Sequence, residues 1–276
     1  MIIAEMLGYP FLSRALAVGL LVSVSASLLG VSLVLRRFSM IGDGLSHVGF
    51  GALGAAAFLS LPPLAVTIPV VVISAAVLLH VSSRKKGGGD SAIALISSGA
   101  LAIGVIAVST AGVNTDLNAF LFGSILSVTR TDAVISSVLS AITLISYLVF
   151  YHQIYATTFD PAFATATGIR TERYTALLSL LTALVIVVGM RILGSLLISS
   201  LIIFPASVAM KLCRTYLSVS IAAAVESLLA FVIGFVASYA FSLPTGASIV
   251  MVHVIFFALA AAFRCSMVFI RARRIG

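Results

Sequence analysis

Nine stretches of this chain are almost unbroken apolar runs: 15–35, 41–60, 64–82, 92–112, 132–151, 174–193, 195–213, 218–240 and 246–263. About 20 mostly apolar residues are needed to cross the hydrocarbon core of a bilayer as a helix. The runs are apolar on all sides and show no ten-residue alternation, which points to helices and away from a transmembrane β-barrel. Composition agrees: 61% of the residues are apolar and 9% charged, against about 25% charged in a soluble domain. Too little polar surface is available to wrap a water-soluble globule. The chain is therefore expected to be an all-α, polytopic integral membrane protein with membrane lipid around it. A soluble enzyme, a nucleic-acid-binding domain and a disordered chain are all excluded on this ground. About nine transmembrane helices are expected, within a range of 8–10, in a single transmembrane domain spanning 1–276.

The net charge of +8 reads as topology rather than affinity for nucleic acid, because the basic residues cluster between apolar runs. With nine spans, one side receives Arg36, Arg37, Arg84, Lys85, Lys86, Arg170, Arg173, Lys211, Arg214, Arg264, Arg271, Arg273 and Arg274, which are 13 of the 16 basic residues. Arg14, Arg130 and Arg191 fall on the other side. Positive charge marks the cytoplasmic face, so the N-terminus is expected outside and the C-terminus inside. The first run resembles a secretory signal up to Val24-Ser25-Ala26, but it continues to Leu35 and stops at Arg36-Arg37, as a retained helix would. The break at 191–194 reads as a tight external turn. The segment 111–132 has room for a short helix at the interface. Cys213 and Cys265 give neither a disulfide framework nor a CxxC metal spacing.

Ionisable groups inside membrane helices are costly and are functional candidates by default. The densest group is MIGDGLSHVGFG at 40–51, where Asp43 and His47 stand four apart and share one helical face. A carboxylate and an imidazole on one face form half of a site for a divalent transition metal. The same spacing also suits an Asp at a helix start with a hydrogen-bonded His one turn deeper, and spacing alone does not separate the two. Hydropathy puts Asp43 within two turns of the cytoplasmic end. Glu226 and His253 lie within later runs. Both are read as structural, Glu226 against serine or backbone partners and His253 as a satisfied core histidine. His80 and His152, near helix ends, and Asp116 and Asp132, on the outer side, are expected to be solvated. Asp160, followed by Pro161, is expected to cap a short helix.

RRFSMIGDGLSHVGFGALG (36–54) resembles the second-helix signature of the membrane permeases of ABC importers for zinc, manganese or iron. The resemblance continues through DSAIALISSGALAIG (90–104), NAFLFGSILSV (118–128), FDPAFATATGI (159–169), GSLLISSLIIFPASVA (194–209) and LPTGASIVM (243–251). The motifs occur in the family's order over almost the whole chain. Asn118 departs from the usual His, and Ala162 from the usual Glu. The resemblance implies a type II ABC importer permease fold in a bacterial cytoplasmic (inner) membrane. It implies a homodimer or paired permease whose second helices line the path with Asp43 and His47, an extracytoplasmic metal-binding protein, and a cytoplasmic ATPase subunit. The divalent metal is then transported substrate, and no resident cofactor is expected. None of the three lysines, Lys85, Lys86 and Lys211, lies in a P-loop pattern, so ATP hydrolysis belongs to that separate subunit. Its first expected docking site is 204–218, where Pro205 is expected to break the helix and Lys211 and Arg214 mark the cytoplasm. The loop 157–170, with Asp160 and Pro161, is the second.

The alternative reading is a secondary metal-cation transporter or channel without an ATPase, which would be expected to show an inverted repeat with matching broken helices. An intramembrane zinc protease would need H-E-x-x-H, which is absent.

Overall fold

The computed structural model describes residues 6, 8–84, 89–111, 123 and 129–275. Helices lie on all nine apolar runs: α1 (Pro10–Leu35), α2 (Ile41–Phe58), α3 (Pro63–Arg84), α4 (Gly89–Ala111), α5 (Arg130–Val149), α8 (Thr171–Leu193), α9 (Ser195–Leu212), α10 (Tyr216–Phe241) and α11 (Thr245–Ile275). Two short helices, α6 (Tyr151–Phe159) and α7 (Pro161–Ala166), join α5 to α8. No strand occurs among the described residues. Among the described residues, seven helices are long and apolar enough to cross a membrane by themselves; α2 is not among them, because Asp43, His47 and five glycines lower its hydropathy. The outer segment around Asp116 and Asn118, Lys85 and Lys86, and the side chain of His80 lie outside the described residues.

α1 and α8 form the centre of the bundle, and most of each helix's length is buried. Contact between apolar helices in lipid relies on close packing and on hydroxyl hydrogen bonds. Both are present. Ser25 Oγ reaches Ser140 O of α5 at 3.2 Å, and Ser227 Oγ of α10 donates to Ser23 O at 3.1 Å. Near the last turn of α1, the Tyr216 hydroxyl lies 2.7 Å from Ser32 Oγ and 2.8 Å from the Tyr147 hydroxyl, tying α1, α5 and α10 together at one end.

α2 packs most extensively against α4. A Cβ on Gly51 would stand 2.5 Å from the Ala100 carbonyl oxygen, and one on Gly54 would stand 2.7 Å from that of Gly104. Only glycine lets the two backbones approach this closely. Gly51→Val should therefore destabilise the solubilised protein by about 1–3 kcal/mol, the usual range for overpacking a close contact. A thermal melt in detergent that matches wild type would contradict this packing.

The turn between α8 and α9 is one residue, Gly194, at φ +87° and ψ 159°, a conformation that L side chains rarely adopt. It marks the break expected at 191–194. Two expectations are corrected in this region. Asp132 is not a solvated loop residue: Thr129 caps α5 through Asp132 N–H, and the Asp132 carboxylate pairs with Arg191 at 2.9 Å. Pro205 does not break α9, which runs through it to Leu212 with Pro205 buried inside. Packing from α1, α2, α10 and α11 holds that helix on several sides, so a single missing N–H does not end it.

Candidate functional site

Asp43 lies in the first turn of α2 and His47 one turn later. His47 Nε2 stands 3.6 Å from Asp43 Oδ2, so the shared face expected from the spacing is present. Ser46 takes no part in it, because its hydroxyl donates to the Gly42 carbonyl at 2.8 Å. His47 Nδ1 is buried without a hydrogen-bond partner. The Asp43 side chain is 49% exposed and that of His47 24%.

The glycines on either side of Asp43 set its outlook. Gly42 packs on Ser199 and Ile202 of α9, and Gly44 packs on Ile93 of α4. Asp43 therefore opens at the gap between α9 and α4. Its position along the neighbouring helices follows from these contacts. Leu212, the last residue of α9, is ten residues beyond Ile202 and thirteen beyond Ser199. At 1.5 Å per residue, Asp43 lies about 15–20 Å from that end of α9. The last residue of α1, Leu35, is five residues beyond Gly30, which packs on the same Ile202.

A hydrogen-bonded turn links α1 to α2. Arg37 N–H donates to Val34 O and Phe38 N–H to Leu33 O, closing the end of α1 in a Schellman arrangement with Arg37 at φ +64°. Ile41 N–H then returns to Phe38 O. Arg36 donates from Nη2 to Thr157 Oγ1 of α6 at 3.0 Å and from Nη1 to Thr175 Oγ1 of α8 at 3.2 Å. Its burial lowers its pKa from the ordinary guanidinium value. In the sequence Arg36 marks topology and opens the second-helix signature, and neither feature points to these partners. Its contacts join residues far apart in the chain and leave no local pattern.

Glu226 and His253 are brought together. His253 Nδ1 lies 3.0 Å from Glu226 Oε1, with the ring N–H as donor to the carboxylate, and the residues are 0% and 7% exposed. The His253 ring stacks on Phe204 of α9. The partner of Glu226 is thus a histidine, rather than the serine or backbone group expected. Among the described residues no group of three or more His, Cys, Asp and Glu side chains is placed to hold a metal. Among those residues, the Asp43–His47 pair stands without a third such ligand.

The residues expected to meet an ATPase fall in two places. Asp160 caps α7 by accepting from Phe163 N–H at 2.9 Å, with Pro161 in the first turn. Phe159 and Phe163 are exposed beside it. An open groove of about 410 Å³ runs along the same surface, lined by His152, Arg170 and Arg173. In the other place, Arg214 is exposed, Lys211 Nζ sits 4.7 Å above the Phe257 ring, and Pro205 is buried. Pro205 cannot reach a docked subunit.

The arrangement has relatives. The manganese transport system membrane protein MntC of Halalkalibacterium halodurans is 30% identical over 257 residues, covering 93% of this chain and 88% of that protein. The high-affinity zinc uptake system membrane protein ZnuB of Haemophilus influenzae is 29% identical over 252 residues, covering 91% and 97%. Among solved structures, a chain of PsaBC from Streptococcus pneumoniae, in complex with Fab, superposes with a TM-score of 0.82 at 31% identity, covering 94% of each chain. With residues 8–264 matching the family and the helices arranged as in a solved relative, this multi-pass bacterial inner-membrane protein belongs to the ABC 3 transport family, as a transporter subunit rather than an enzyme.

Proposed function

We propose that the chain is the permease of an ATP-driven importer for a divalent transition metal (manganese, zinc or iron) and that two copies, or this chain and a paired permease, enclose the path. One observation carries the reading: a carboxylate paired with an imidazole, half exposed, about 8 Å from the end of α1 and about 15–20 Å from that of α9. A charge at such depth facing lipid costs at least several kcal/mol. A water-filled path shared with a second subunit removes that cost. Two copies then offer two carboxylates and two imidazoles, an N/O donor set that suits Mn²⁺, Zn²⁺ or Fe²⁺ without choosing among them. Nine spans, with the Arg36 end of the bundle in the cytoplasm, follow from the charge distribution.

The ATPase docks on α6–α7, where Phe159 and Phe163 offer apolar anchors beside the basic groove, with Arg214 at the margin. This reverses the order expected from sequence, because Pro205 is buried. Phe163→Asp should weaken ATPase association about tenfold or more, as loss of an apolar anchor does, without changing the thermal melt of the permease alone. Co-purification at wild-type yield would remove α7 from the interface. Reconstituted with its ATPase, the permease should take up one of the three metals with metal-stimulated ATP hydrolysis. Alone in liposomes it should take up none. Uptake by the chain alone would instead support the secondary transporter.

A further inference from the structure

We propose, on the importer reading above, that Arg36 is a positioning residue that carries movement of the α6–α7 docking segment to the Asp43–His47 pair. Three features support this. Arg36 touches both sides of the segment at once, through Thr157 in α6 and Thr175 in the first turns of α8. It also belongs to the rigid turn that leads into α2, and Asp43 follows seven residues later along hydrogen-bonded backbone. Lastly, both acceptors are neutral hydroxyls, Arg36 Nε is buried without a partner, and no carboxylate pairs with Arg36 among the described residues. A salt bridge would lock the turn, since breaking it strands two buried charges. Hydrogen bonds from a cation to hydroxyls can be exchanged for others in a second conformation while the charge state stays the same. Thr157 is 2% exposed, so it transmits motion without being part of the docking surface. Asp43 does not feel the ATPase directly. Arg36 supplies the connection, because α2 touches neither α6 nor α7 through any extensive interface.

The test uses the complete permease–ATPase complex in proteoliposomes, with Mn²⁺, Zn²⁺ and Fe²⁺ as probes. Arg36→Gln and the double variant Thr157→Val/Thr175→Val should lower metal uptake per ATP hydrolysed by about tenfold, as expected for loss of charge-assisted hydrogen bonds. ATP hydrolysis should stay within about twofold, and the metal concentration at half-maximal uptake should not move, since the ligands are untouched. Arg36→Lys should recover part of the coupling. The double variant decides the matter if Arg36→Gln fails to fold. An unchanged ratio of uptake to hydrolysis in that variant would overturn the proposal and leave Arg36 as structural support. Absence of metal uptake by the wild-type complex would instead overturn the importer reading on which it rests.

Discussion

Asp43→Asn is expected to reduce metal uptake to background while protein level in the membrane stays near normal. The substitution keeps the shape and one carbonyl oxygen and removes only the negative charge. That charge is what offsets the dehydration of a dication in a narrow path. Two unit charges 4 Å apart at an effective permittivity near 20 attract by about 4 kcal/mol, roughly a thousandfold in site occupancy. Among the described residues, Asp43 and His47 are joined by no third His, Cys, Asp or Glu side chain placed to hold a metal. His47→Ala should have a similar outcome, since the buried Nδ1 and the partly exposed Nε2 show a ring held in place and not fully satisfied by the chain itself. Normal folding is expected for both, because Asp43→Asn keeps a half-exposed polar group of the same shape and His47→Ala removes a ring whose Nδ1 has no hydrogen-bond partner. The measurement is radiometal or fluorescent-chelator uptake in proteoliposomes containing the ATPase. Wild-type uptake by Asp43→Asn would make the second-helix pair a packing feature.

His253→Ala should be the most destabilising single change outside the path. It leaves Glu226, 7% exposed, without the imidazole that answers its carboxylate. Removing one partner of a buried pair costs about 3–5 kcal/mol. It also opens a cavity beside Phe204, whose ring stacks on His253. Glu226→Gln should cost far less, because the amide oxygen still accepts from His253 Nδ1–H, and His253→Ala/Glu226→Ala should be more stable than His253→Ala alone. Thermal melting in detergent reads all three. Wild-type melting of His253→Ala would remove the clamp between α10 and α11. Loss of uptake in Glu226→Gln at an unchanged melting temperature would assign the pair to the path instead of the scaffold.

Much of the candidate site could be read in the sequence because helical geometry is local. Residues four apart share a face, so Asp43 and His47 meet whatever surrounds them. Asp160 caps α7 for the same reason, through a hydrogen bond that spans three residues. The Glu226–His253 pair, 27 residues apart on two helices, left no comparable trace. Arg36 was similarly opaque: its acceptors lie 121 and 139 residues away. Pro205 misled because a proline reads as a stop in an isolated helix, whereas α9 is held by neighbours on several sides.

By itself, the sequence determined the solvent and the elements. Apolar runs of membrane-spanning length have no other way to satisfy their backbone than as helices in lipid, and the small residues between them mark where those helices close up. Tertiary structure alone decided outlook and partnership. Spacing puts Asp43 and His47 on one face of α2, but only the packing of Gly42 on Ser199 and Ile202 and of Gly44 on Ile93 decides which helices that face meets. Partners are chosen by which helix faces pack, and packing joins residues that no local spacing connects.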